Sequence, residues 1–169
     1  WDAAALAKAS APREVKLGTL PPGYQPVLAI NFSPDGKRLA FGRRSQLLVH
    51  DLAATNFPLI AKVEAHADLV RSLAWSGDGK LLASGGYREI KLWEVPESST
   101  NAPPAAKLIH TFASNIRGRV TALKFSAGKY LSAATADGIY SSQNQGLNYV
   151  RSASRAWTDS DGDFNVDCD

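Results

Sequence analysis

The chain has 169 residues, 44% of them hydrophobic and 21% charged, and a formal net charge of +3, a make-up that is ordinary for a folded globular domain and argues against disorder on the scale of the whole chain. No apolar run approaches the ~20 residues that span a bilayer, and the amino-terminal WDAAALAKAS lacks the charged-then-apolar order of a signal peptide, so a soluble domain without a membrane span is expected, its compartment undetermined. The sequence contains no Met, which suggests a processed or excised piece, and the single Cys168 closes no internal disulfide, so the fold must rest on burial.

In chain order, Trp1-Asp2 reads as the end of a strand. Glu14 to Leu20 reads as a second one, bracketed by Pro12 and Pro21-Pro22, while Ala3 to Lys8 after Asp2 is open to a short helix. From Val27 an apolar run leads into Ser33-Pro34-Asp35-Gly36, a turn in which the glycine supplies a positive φ; a second run ends at Gly42, and Leu59 to Val63 closes the unit as a fourth strand. The same writing returns at Val70: Ser76-Gly77-Asp78-Gly79 is the turn, Gly85-Gly86 ends the second run, and Ile90 to Val95 alternates apolar with polar residues. Val27 and Val70, Ser33 and Ser76, Asp35 and Asp78, Gly42 and Gly85, and His50 and Trp93 are all 43 apart, a gapless register. Pro96 to Ala106, rich in Pro, Ser and Asn, reads as an exposed insertion before the strand Leu108 to Phe112. A third copy starts at Val120, 50 residues after Val70, and Ala156-Trp157-Thr158 begins a fourth. Short strands joined by tight turns imply antiparallel meanders, and a period near 43 lies in the range of four-stranded propeller blades.

These residues carry a family resemblance. His66 stands 27 residues before Trp93, Ala65-His66 takes the place of the family's Gly-His, and Trp93-Glu94 that of its Trp-Asp. The chain resembles WD-repeat β-propellers, over roughly residues 12 to 112, as a divergent member. The resemblance implies an all-β propeller of four-stranded antiparallel blades, about four blades' worth in this chain: blades at 24–63, 66–112 and 117–152, and a further one split between 1–20 and 154–169. It also implies a buried tetrad in each blade. Here His66, Ser84 and Trp93 match it, Tyr87 falls where the family has Asp, and in the first copy His50 and Arg44 replace Trp and Asp. Ser142 to Tyr149 is similar to the Asp-box turn of other propellers, with Asn144 for its Asp, which supports the architecture and leaves a lectin-like, glycan-binding module as an alternative function.

The resemblance implies a non-catalytic scaffold for a protein partner. No pair of carboxylates can be assigned to glycoside hydrolysis, and His50, His66 and His110 lack metal-ligand spacing. All 19 basic residues but only 11 of the 16 acids precede Asp159, leaving +8 on that part of the chain. The bases are scattered, so nucleic-acid binding is not expected. On the family's narrow face the resemblance puts Arg43, Arg44, Tyr87 and Arg88, joined by His66 and Asp68, a basic aromatic cluster suited to an acidic peptide. Asp159, Asp161 and Asp163 sit at alternate positions around a glycine and can be read as a plain turn or as a calcium loop, the one cofactor the sequence leaves open. Truncated units at both ends suggest a homodimer that completes an eight-bladed ring, or a part of a longer protein.

Overall fold

A computed structural model of the protein describes residues 26–97, 105–113, 116–126, 130–136, 138–143 and 146–151. These form strands β1 (Val27–Phe32), β2 (Arg38–Arg43), β3 (Gln46–Asp51), β4 (Leu59–Glu64), β5 (Ser72–Trp75), β6 (Leu81–Gly85), β7 (Ile90–Glu94), β8 (Lys107–Phe112), β9 (Val120–Ser126), β10 (Tyr130–Thr135), β11 (Ile139–Gln143) and β12 (Gly146–Arg151). Each run of four pairs with its sequence neighbours as an antiparallel meander: β1-β2-β3-β4, β5-β6-β7-β8 and β9-β10-β11-β12. The protein is an all-β propeller whose ring the described residues leave open; the expected split blade at 1–20 and 154–169 lies outside them.

The 43-residue repeat is reproduced in the register. Gly42 pairs with Leu47 and Leu39 with His50 in the first sheet, as Gly85 pairs with Ile90 and Leu82 with Trp93 in the second. The hairpins repeat as well. Gly36 and Gly79 both adopt φ of +71°, where a side chain is strained, and each donates its N–H to a serine carbonyl, Ser33 or Ser76, at 2.9 Å. Asp78 accepts from the Ser76 hydroxyl at 2.6 Å and from the Lys80 N–H at 3.0 Å; Asp35 does the same with Ser33 and Lys37. These bonds to the charged form, the serine hydroxyl first, lower the pKa of both aspartates.

The sheets stack through their inner strands, β1 on β5 and β5 on β9. The first junction buries Leu47, Val49, Ile60, Val70, Leu73, Trp75, Leu82 and Trp93; the second buries Ile90, Ile116, Val120, Leu131 and Tyr140. Each large side chain so buried contributes roughly 1.5–3 kcal/mol. Polar bonds fix the first junction: Asn31 donates its amide to the Leu73 carbonyl at 3.2 Å, and the Trp75 indole donates to the Asn31 carbonyl at 3.3 Å. Arg38, also buried, lays its guanidinium 4.8 Å from the Trp75 ring centre and donates to the Gly79 carbonyl at 2.6 Å.

Two glycines explain how closely the sheets meet. A Cβ on Gly42 would lie 2.6 Å from Val70 Cγ1, and one on Gly85 2.6 Å from Val120 Cγ1, besides striking the Ser72 hydroxyl. The repeat keeps glycine at both places because the next sheet's leading valine fills the space of the missing side chain.

Candidate functional site

One hydrogen-bonded chain runs through the second sheet. The Trp93 indole N–H donates to Ser84 Oγ at 2.8 Å. Ser84 Oγ lies 2.8 Å from His66 Nε2, and His66 Nδ1 lies 2.7 Å from Glu89 Oε1. Since the serine oxygen accepts from tryptophan, its own hydrogen is directed at Nε2, which leaves Nδ1–H to donate to the carboxylate; a neutral imidazole satisfies every partner. Burial, the larger effect, lowers the His66 pKa and the Glu89 hydrogen bond partly offsets it. Lys91 supports the far end, with Nζ donating to the Ala65 carbonyl at 2.6 Å and lying 3.5 Å from Glu89.

His66, Ser84 and Trp93 are thus brought together, and the fourth member is Glu89. Tyr87, expected at the aspartate's place, instead points outward at 53% exposure. Glutamate is one methylene longer than aspartate, so it reaches the imidazole from a neighbouring turn position. Reading by residue type missed it, although Glu89 is the one acid in that turn. In the first sheet the repeat puts Phe41 at the place of Ser84 and His50 at that of Trp93. The two rings stack with centres 5.7 Å apart, and His50 Nδ1 lies 2.8 Å from the Phe57 carbonyl.

The turns between second and third strands, and the links between sheets, share one rim because backbone bonds staple them together. Ala65 donates to Ser45 at 2.8 Å and Val70 to Arg44 at 2.7 Å; in the next unit Arg88 donates to Gly118 at 2.7 Å and Val120 to Gly86 at 3.0 Å. This rim carries the expected Arg43, Arg44, Asp68, Tyr87 and Arg88. Arg44, Asp68, Tyr87 and Arg88 are exposed and Arg43 is half-buried, whereas His66 is buried and belongs to the core. Arg44 and Arg88 adopt left-handed φ of 54° and 61°. The rim also holds three arginines that the sequence reading passed over: Arg71 on one link, Arg117 and Arg119 on the next. Their signal was position, since any basic residue between an outer strand and the following inner strand falls on this rim.

Residues 57–94 match the model of the WD domain, G-beta repeat. The chain is similar to the β-propeller domain of Myceliophteria thermophila Cps50 (Swd1), with 21% identity and a TM-score of 0.59 over 73% of this chain and 40% of that one. It is similar to the WD40 repeats of RRP9, with 18% identity and a TM-score of 0.62 over 76% of this chain and 39% of that one. The fold is that of a β-propeller, and residues 57–94 within it carry the WD repeat. A third similar structure is Chaetomium thermophilum Sqt1 bound to the N-terminus of the ribosomal protein L10, with 21% identity and a TM-score of 0.56 over 72% of this chain and 32% of that one. The chain therefore spans less than half the length of each of these structures. No curated protein matches it in sequence.

The opposite rim of the blades is different. Its turns and loops carry acids and lysines together: Asp35 and Lys37, Asp78 and Lys80, and Glu94, Glu97 and Lys107. Lys80, Glu94, Val95, Pro96, Glu97, Ala105 and Lys107 line a shallow cavity of about 480 Å³ there. His110 lies exposed on the outer strand β8, its ring edge-on to Phe112 with centres 4.4 Å apart. Among the described residues no group of three His, Cys, Asp or Glu side chains is placed to hold a metal ion, and no helix is long and apolar enough to cross a membrane. The candidate calcium loop at Asp159, Asp161 and Asp163 lies outside the described residues, as do Cys168, Trp157 and Asn144 of the Asp-box-like turn.

Proposed function

We propose that the protein is a non-catalytic scaffold that docks an acidic segment of a protein partner on the arginine rim. One observation carries this reading. The rim presents Arg43, Arg44, Arg71, Arg88, Arg117 and Arg119, while its acids are few and engaged: Glu64 accepts from Ser45 and Gln46, and Glu89 from His66. Of the other carboxylates on those turns and links, Asp68 is exposed, and Asp137, between β10 and β11, lies outside the described residues. Guanidinium forks on a stapled backbone bind carboxylates without first having to be ordered. That the related fold of Sqt1 is seen with a peptide terminus bound to it supports a peptide-docking use. The test is fluorescence anisotropy with a labelled Asp/Glu-rich peptide. Binding that weakens with salt, and falls about tenfold or more in the Arg43→Glu/Arg44→Glu variant, supports the reading; unchanged binding in that variant refutes it.

A second reading concerns assembly. On β1, Val27, Ile30 and Phe32 are 45%, 62% and 57% exposed, whereas their repeat equivalents Val70, Leu73 and Trp75 are 1%, 6% and 6% exposed under the preceding blade. The uncovered face of the first blade is thus shaped to receive another blade, and a second copy of this chain is the proposed donor. Sedimentation that shows a dimer, reduced to monomer by Phe32→Glu, supports it; a folded monomer at all concentrations refutes it.

A further inference from the structure

The arginines of the rim fall into two stapled patches with different company. At the first, Arg43 donates to Gln46 Oε1 at 3.3 Å, Arg44 is among the charges that lower the pKa of Glu64, and Asp68 stands on the adjoining link. At the second, between the blade of β5–β8 and that of β9–β12, the turn carries Tyr87 and Arg88 and the link carries Arg117 and Arg119. Here too the backbone of turn and link is joined. The Arg88 N–H binds the Gly118 carbonyl at 2.7 Å, the Val120 N–H binds Gly86 at 3.0 Å, and Tyr87 bridges Arg119 antiparallel. The Arg117 N–H donates to the buried Tyr140 hydroxyl at 3.3 Å, which ties the link to the core.

Arg88, Arg117 and Arg119 are all exposed, and among the described residues none forms an ion pair. The nearest acid in sequence, Glu89, is turned inward to His66 and Lys91. Three like charges are therefore held on two backbone segments one hydrogen bond apart, at a cost in mutual repulsion that a bound anion would relieve. All three are arginine, whose planar fork favours paired oxygens over a point contact. A single carboxylate offers two oxygens and one charge, too little for three forks. A phosphoryl group offers three oxygens and a charge near −2.

We infer that Tyr87, Arg88, Arg117 and Arg119 form a site for a phosphorylated serine or threonine on the docked partner segment. This rests on the docking reading above and adds the chemistry of the residue that anchors it. Tyr87, directly opposite Arg119, supplies an exposed ring against which the residue beside the phosphate packs and a hydroxyl that can donate to it.

The experiment uses three labelled peptides that differ at one position, phosphoserine, serine or glutamate, in an otherwise neutral sequence, with the full chain in anisotropy titrations. The phosphopeptide is expected to bind about tenfold or more tightly than the serine peptide and several-fold more tightly than the glutamate one. The preference disappears in Arg88→Gln/Arg117→Gln/Arg119→Gln, is partly kept by the corresponding lysine variants, and survives Arg43→Gln/Arg44→Gln. These side chains are exposed, so thermal melts of the variants should match the parent's. Equal binding of the three peptides overturns the inference while leaving the docking reading intact if the Asp/Glu-rich peptide still depends on Arg43 and Arg44. A single-stranded RNA oligonucleotide that binds more tightly than the phosphopeptide and depends on the same three arginines also overturns it, in favour of a nucleic-acid surface.

Discussion

The blade of β1–β4 and the blade of β5–β8 are written in one 43-residue register, yet they are held together differently. The second locks its strands with a polar chain from Trp93 to Glu89; the first replaces serine and tryptophan by Phe41 and His50 and stacks two rings instead. The inner strand of the second is sealed under the first, and that of the first is open. The repeat therefore specifies strand placement, while the chemistry that fastens each blade is free to vary as long as the hairpin geometry is kept.

The sharpest way to break the comparison is truncation at matching positions. Trp75→Ala should cost about 3–5 kcal/mol, because the indole fills the first junction and carries Arg38 on its face. Phe32→Ala, 43 residues earlier, should cost under about 1 kcal/mol in the monomer, because its ring is largely solvated. Urea unfolding of both variants checks this, and equal losses would mean that β1 is covered in solution.

Removal of the polar lock comes next. Ser84→Ala leaves the Trp93 N–H and His66 Nε2 unpaired in the core, at about 1–3 kcal/mol for each group. At the matching position of the first blade, Phe41→Leu keeps an apolar contact with His50 and should cost about 1 kcal/mol or less. Gly85→Ala should lose about 1–3 kcal/mol by driving a methyl into Val120 and Ser72, with Gly42→Ala following against Val70; thermal melts would rank the pair.

The smallest expected effect is on pH. Burial holds His66 below its ordinary value of 6.5, so the unfolded chain binds the proton more readily than the folded one. The stability that neutral His66 preserves is full above pH 6.5 and is lost as pH falls from there towards the folded-state pKa. Asp35 and Asp78, lowered from 3.8, act in a separate and more acidic window, losing their contribution as pH falls through their folded-state values. A plot of melting temperature against pH should show both steps, the upper one absent in His66→Gln.

Much of the architecture was legible because its determinants are local. Ser-x-Asp-Gly turns need particular residues at particular φ, alternation marks the strands, and a constant offset exposes the repeat. Glu89 was not legible, because a carboxylate's reach depends on where the turn carries its Cα, and a residue-type match to aspartate pointed at Tyr87 instead. Arg117 and Arg119 were passed over for a similar reason: nothing beside them in sequence shows that they adjoin Arg88.

By itself, then, the sequence determined the antiparallel meanders, their 43-residue spacing and the glycines that let blades approach, since each follows from backbone preference and side-chain period. Only the tertiary structure decided which carboxylate completes the buried chain, which of two equivalent apolar strands is sealed, and which arginines share a rim. Those outcomes depend on distances between segments far apart in the chain, and stacking of whole sheets sets such distances.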